Sequence, residues 1–174
     1  MIIVSRFIEK VKDGIIKIIG IGAAICPICR NEMKSHGRCT RYVEISGEER
    51  CTYSLRIFFC PECHHYHREL PDFMIPYKHY STETYAEIHD NPSKDFKCSA
   101  DEHSVRRMCA WVSVFMKFGE AMAARIKIEY PFLKTNYDVE STESTLKYFV
   151  KIVVNSNEWK FIGSPVLSGW FVLW

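Results

Sequence analysis

Alternation of apolar and polar positions is sharpest over residues 51–59, where Cys51, Tyr53, Leu55, Ile57 and Phe59 share one side and Thr52, Ser54 and Arg56 the other. A period of two marks a half-buried strand. Residues 42–46 read as its hairpin partner, joined through Gly47-Glu48-Glu49. Residues 2–4 open a further short strand. Ile8, Val11, Ile15 and Ile18 recur at helical spacing, but Gly14, Gly20 and Gly22 oppose a long helix. That stretch reads either as helix or as strands flanking the hairpin.

Beyond Leu70-Pro71 and Pro76 the period lengthens to that of helices. Ser81 caps a short helix through His89, with Tyr85 and Ile88 inward, and Asn91-Pro92 breaks it. Ser99 or Asp101 caps a longer helix expected to run to about Phe118 and stop at Gly119. Its inward stripe is Val105, Met108, Cys109, Val112, Phe115 and Met116; His103, Arg106, Arg107, Ala110 and Lys117 project oppositely. Residues 141–154 form a third candidate helix, with Leu146, Phe149, Val150 and Val153 as its apolar face. The uncharged end, residues 169–174, reads as a buried strand or packing segment, with an exposed partner-binding tail as the alternative.

Composition narrows the class only a little. The 174 residues, 47% hydrophobic and 25% charged, suit a folded chain rather than a disordered one. Net charge is +2, and residues 1–78 carry 12 Lys/Arg against 9 Asp/Glu, so nucleic-acid contact needs a local patch. Residues 15–25 are apolar apart from Lys17, but the run is far shorter than the roughly 20 residues that span a bilayer. Ile25 is too large to precede a cleavage site, and Glu9 and Asp13 spoil a basic leader. The expectation is a cytoplasmic protein without membrane contact.

The cysteines change the picture most. Of eight, four form two C-P-x-C pairs, Cys26-Pro-Ile-Cys29 and Cys60-Pro-Glu-Cys63, with 30 residues between them. Two residues between thiolates let a tight turn aim both sulfurs at one ion, about 2.3 Å away in tetrahedral geometry. Two such knuckles bracketing a hairpin predict a zinc ribbon with ligands Cys26, Cys29, Cys60 and Cys63. Redox dithiols and an iron–sulfur cluster are the competing readings. A four-sulfur shell leaves no place for water, so the Zn²⁺ would be structural. His67 reads as packing or hydrogen bonding around the ribbon rather than as a ligand. Cys39, Cys51, Cys98 and Cys109 read as small buried thiols.

The series Cys26-Pro-Ile-Cys29, His36-Gly37, Cys60-Pro-Glu-Cys63, His67, Leu70-Pro71, Ile75-Pro76-Tyr77, Tyr80-Ser81 and Glu83-Thr84, with Ser104-Val105-Arg106-Arg107 and Trp111, resembles a bacterial transposase-like domain family. The resemblance covers about residues 1–115. It implies an N-terminal zinc ribbon followed by a helical, helix-turn-helix-like segment. Two departures stand out: knuckles commonly continue with Gly where this chain has Arg30 and His64, and Glu44, Glu48 and Glu49 dilute the basic hairpin.

The whole is an α+β reading: a zinc ribbon over 1–78, a mainly helical segment over 79–129, and a helix with an apolar strand or tail over 130–174. Its function is a zinc-binding, DNA-binding module related or accessory to transposases. Arg106, Arg107, His103 and Ser104 would face the duplex, with Arg38, Arg41 and Arg56 adding backbone contacts from the ribbon. Residues 91–101 exceed the 3–4-residue turn typical of helix-turn-helix pairs. The alternative is a protein-interaction module, docking through the ribbon and aromatic C-terminus. Catalysis is not expected: Asp138, Glu140 and Glu143 are the one carboxylate cluster considered for Mg²⁺, and such a cluster is usually a solvated loop or helix start.

Overall fold

The ambiguous N-terminal stretch resolves into strands. In the computed structural model, which describes residues 1–45, 50–91, 99–129 and 142–162, Asp13 and Gly14 have φ of 52° and 72°. They fold β2 (Phe7–Lys12) back onto β3 (Ile15–Gly20) as an antiparallel hairpin. Asp-Gly suits such a turn, since positive φ at both positions matches the twist of the flanking strands. The β-branched isoleucines then favour extended backbone over the helix their spacing allowed.

Four further strands complete the sheet: β1 (Ile2–Val4), β4 (Lys34–Val43), β5 (Cys51–Phe59) and β6 (Tyr66–Pro71). The first hairpin arm is therefore residues 34–43 rather than 42–46, and the expected turn at 47–49 lies outside the described residues. β5 is the hub. Antiparallel β4 pairs along its whole length, with an irregularity between Ser35 and Gly37. Parallel β3 and antiparallel β6 share its other edge in succession, and β1 lies parallel to β6. Because β5 is central, its faces do not divide cleanly: Tyr53 and Leu55 are buried as expected, but so are Ser54 and Phe58.

Three helices follow among the described residues, so the fold is α+β. Ser81 caps α1 (Thr82–Asp90) by accepting from the Thr84 N–H. Asp101 caps α2 (Glu102–Glu129), its Oδ1 accepting from Ser104 N at 2.6 Å. α3 spans Thr142–Asn155 and leads into a 3₁₀ turn, Glu158–Phe161. The expected stop at Gly119 is corrected: α2 passes through it. A Cβ there would lie 2.6 Å from the base of the Phe149 ring, so the glycine admits α3 to close range. Tertiary approach, not helix termination, accounts for this residue.

The main apolar core joins Ile3, Ile18, Tyr53 and Leu55 of the strands to Ile88, Val112, Phe115, Leu146 and Val150 of the helices. A second, smaller cluster contains Ile2, Ala24, Met33 and Phe58 around Cys26 and Cys60. Asn155 links them, exchanging two hydrogen bonds with the Ile3 backbone while its own carbonyl accepts from Arg30. No helix among the described residues is long and apolar enough to cross a membrane.

Candidate metal centre

Both cysteine pairs fold into the same turn. Arg30 N donates to Cys26 O and Cys26 N to Asn31 O; in the second pair His64 N donates to Cys60 O and Cys60 N to His65 O. The residue after each pair is left-handed, Arg30 at φ 66° and His64 at φ 56°. Those are the two positions where glycine would be free of strain, so the turn forms here at some conformational cost. Each turn presents its first sulfur inward, Cys26 and Cys60 being fully buried and Cys29 and Cys63 partly so.

The four sulfurs converge. Cys26 Sγ lies 3.6 Å from Cys63 Sγ and Cys29 Sγ 3.3 Å from Cys60 Sγ, and all four lie within 4.8 Å of one another. Sulfurs bound tetrahedrally to one ion at about 2.3 Å stand about 3.8 Å apart. The donor set therefore fits a single thiophilic cation, and none of these cysteines is in a disulfide. Phe58 and Met33 shield one side. His67, buried, brings Nε2 to 3.6 Å from Cys26 Sγ, a contact to a ligand sulfur rather than a ligand position.

Electrostatics differ sulfur by sulfur. Burial pushes the Cys26 thiol up, and burial with neighbouring thiols takes Cys63 to about 12. The Asn31 backbone N–H, despite some desolvation, draws Cys29 down to about 6. Burial first, then nearby positive charge, lowers His67 to about 4, which keeps it neutral at pH 7. A cation at the centre would stabilise all four thiolates and override these differences.

The residues read as nucleic-acid contacts divide in two. Arg106 and Arg107 are exposed on the first turns of α2 beside exposed His103 and half-buried Ser104. Arg106 pairs with Glu102 at 2.6 Å, and Arg107 donates to Ser104 Oγ at 3.2 Å. Arg38, Arg41 and Arg56, on the strands, instead bond within the protein. Arg38 bonds to Ser54 and the Ile18 carbonyl, Arg41 to the carbonyls of Ile75 and Lys78, and Arg56 to Glu69 at 2.6 Å and the Gly20 carbonyl. Their guanidiniums stitch strands and loops together, with Arg38 still exposed and Arg41 and Arg56 half-buried. Sequence conveyed their charge but not these long-range acceptors. Asp138 and Glu140 lie outside the described residues, as does the apolar end at 169–174.

Sequence reading missed the surface beside α2. Residues 76–80 form a loop carrying Tyr77 and Lys78, which with α2 lines a cavity of about 660 Å³. The aromatic-basic sequence Tyr77-Lys78-His79-Tyr80 was the available signal.

Residues 26–108 match a family described as a domain of unknown function (DUF6431). The matched stretch opens on the first knuckle and ends within α2. No curated protein and no solved structure matches the chain.

Proposed function

We propose that this chain is a zinc-ribbon module that binds duplex DNA, related or accessory to transposases, with α2 as the contacting element. The convergence of four sulfurs, none more than 4.8 Å from another, carries the metal part of this reading. Thiolate donors in a closed shell favour Zn²⁺ in a structural role and leave no coordination position for chemistry, so the reading is non-enzymatic. The contact surface rests on exposed His103, Arg106 and Arg107 at the start of a long helix, with Lys117 further along. Cations at that position suit phosphates, and the N-terminal turns of a recognition helix suit base edges.

The test is metal analysis and salt-titrated duplex binding on one preparation. One zinc per chain is expected, and Arg106→Ala with Arg107→Ala should flatten the log–log salt slope by about two. An unchanged slope removes α2 from the interface. A second reading, a ribbon that docks on protein, draws support from the intramolecular bonds that engage Arg41 and Arg56 and from exposed Tyr66, whose ring lies 4.7 Å from His36 and 5.0 Å from Phe59. A sample that shifts no duplex at low salt yet forms a discrete complex with another polypeptide favours it.

A further inference from the structure

Two cavities adjoin along one side of α2, of about 660 and 380 Å³, and they share Tyr77, Lys78 and Trp111. One wall is the loop 76–80, the other α2, and the far end is the 3₁₀ turn with Trp159 and Lys160. Arg107 stands at one end, Lys160 at the other, and Lys78 in both. Neither lining includes an aspartate or glutamate among the described residues. Acidic side chains do stand nearby at the start of α2, but Glu102 is paired with Arg106 and Asp101 caps the helix. A row of three cations with no lining carboxylate calls for an extended anion rather than one isolated charge.

The aromatic groups narrow the anion's chemistry. Trp111 is closed to a ligand: Phe115 stacks on it with centroids 4.7 Å apart, and Lys78 Nζ lies 4.9 Å over the ring. Tyr77 is the opposite case. It is 76% exposed and held at φ 63°, a conformation that costs a tyrosine energy and persists only when its surroundings enforce it. The enforcing contact is visible, since Arg41 bonds to the carbonyls on both sides of it, of Ile75 and Lys78. A braced, solvent-facing ring beside a row of cations is the arrangement that stacks a base while its phosphates are neutralised.

We infer that this groove binds a single-stranded nucleic acid, seating an unpaired base on Tyr77 and its phosphates along Arg107, Lys78 and Lys160. The inference rests on the nucleic-acid reading above and extends it from duplex to strand. An acidic polypeptide could satisfy the cations but would leave the Tyr77 ring without a flat partner.

The experiment uses the full, zinc-loaded chain and three probes: a labelled oligothymidylate of about 12 nucleotides, a duplex of matched length, and polyglutamate as competitor. Tyr77→Gly removes the ring while suiting the left-handed backbone, and Tyr77→Phe keeps the ring. Tyr77→Gly should weaken strand binding at least about fivefold, with Tyr77→Phe unchanged. Lys160→Gln should lower the strand salt slope by about 0.7. Neither should alter duplex binding, whereas Arg106→Ala, which lies outside the groove, should affect the duplex alone. Tyr77→Gly binding the strand like the parent chain, or polyglutamate competing as well as unlabelled strand, overturns the inference. Duplex binding without strand binding also overturns it and leaves the α2 reading intact. Strand binding without duplex binding supports the groove and removes α2.

Discussion

The two apolar clusters are held by different means. The larger draws on strands and three helices, and fully buried Ile18, Leu55, Ile88, Ile126, Leu146 and Val150 give it enough apolar area to order its own backbone. The smaller has Ile2, Ala24, Met33 and Phe58 around the sulfurs, and must also order two turns with strained residues at Arg30 and His64. Four side chains of that size do not offset the entropy of fixing those turns. On the proposed reading an ion would supply there what apolar burial supplies elsewhere, and its loss would be felt unevenly along the chain.

The most direct way to break that contrast is to remove the metal. Chelation, or Cys60→Ser, should abolish zinc binding worth about 10–16 kcal/mol in apparent free energy and loosen the turns at 26–30 and 60–64. Helical circular dichroism should largely persist, because the large cluster contains none of the four sulfurs. Hydrogen exchange measured with and without chelator checks this by region. Collapse of α1–α3 together with the two cysteine turns would mean that the Arg30–Asn155–Ile3 connection binds the two clusters into one cooperative unit.

The same contrast explains what could be read in advance. The knuckles and the caps at Ser81 and Asp101 are local devices, set by spacings of two or three residues, so the sequence displays them. The pairings of β3 with β5 and β1 with β6 join distant segments, and nothing in the pattern of Ile8, Val11, Ile15 and Ile18 chooses strand over helix until Asp13-Gly14 turns the chain. Gly119 resembles a helix stop because glycine also ends helices; only the approach of Phe149 shows why it stands mid-helix. Arg38, Arg41 and Arg56 reveal their charge in the sequence, but their acceptors lie across the fold. Tyr77 is not legible as a contact in the sequence, because its exposure and positive φ are properties of the folded loop.

Substitutions outside the two cysteine turns sharpen the contrast, since they should lower stability without releasing metal. Arg56→Ala strands the Glu69 carboxylate, which is 2% exposed and would keep the Gly20 N–H as a partner, and it uncovers the Phe58 ring beneath the guanidinium. Leaving a buried charge unpaired costs about 3 kcal/mol, measurable by urea denaturation. Gly119→Ala gains about 1 kcal/mol of helix propensity but forces a methyl against Phe149, so a smaller net loss is expected. Both variants should retain the parent zinc stoichiometry. Zinc loss from Gly119→Ala would show that the metal centre leans on the larger cluster after all.

Acid separates the two regions by a smaller effect, and its sign follows from Asp101. The Ser104 backbone N–H and hydroxyl hold the Asp101 carboxyl below its ordinary value of 3.8. A depressed folded value means that the cap stabilises α2 at all pH above the unfolded value and is lost as pH falls through the folded one. The thiolates respond earlier, because protons compete with the metal for sulfur from neutral pH downward. Zinc release should therefore precede the loss of this cap on titration, and Asp101→Asn should shrink the late step alone. A chromogenic zinc indicator and helical circular dichroism, followed on one sample, report the two events. A single coincident step would erase the distinction between a region organised by an ion and one organised by burial.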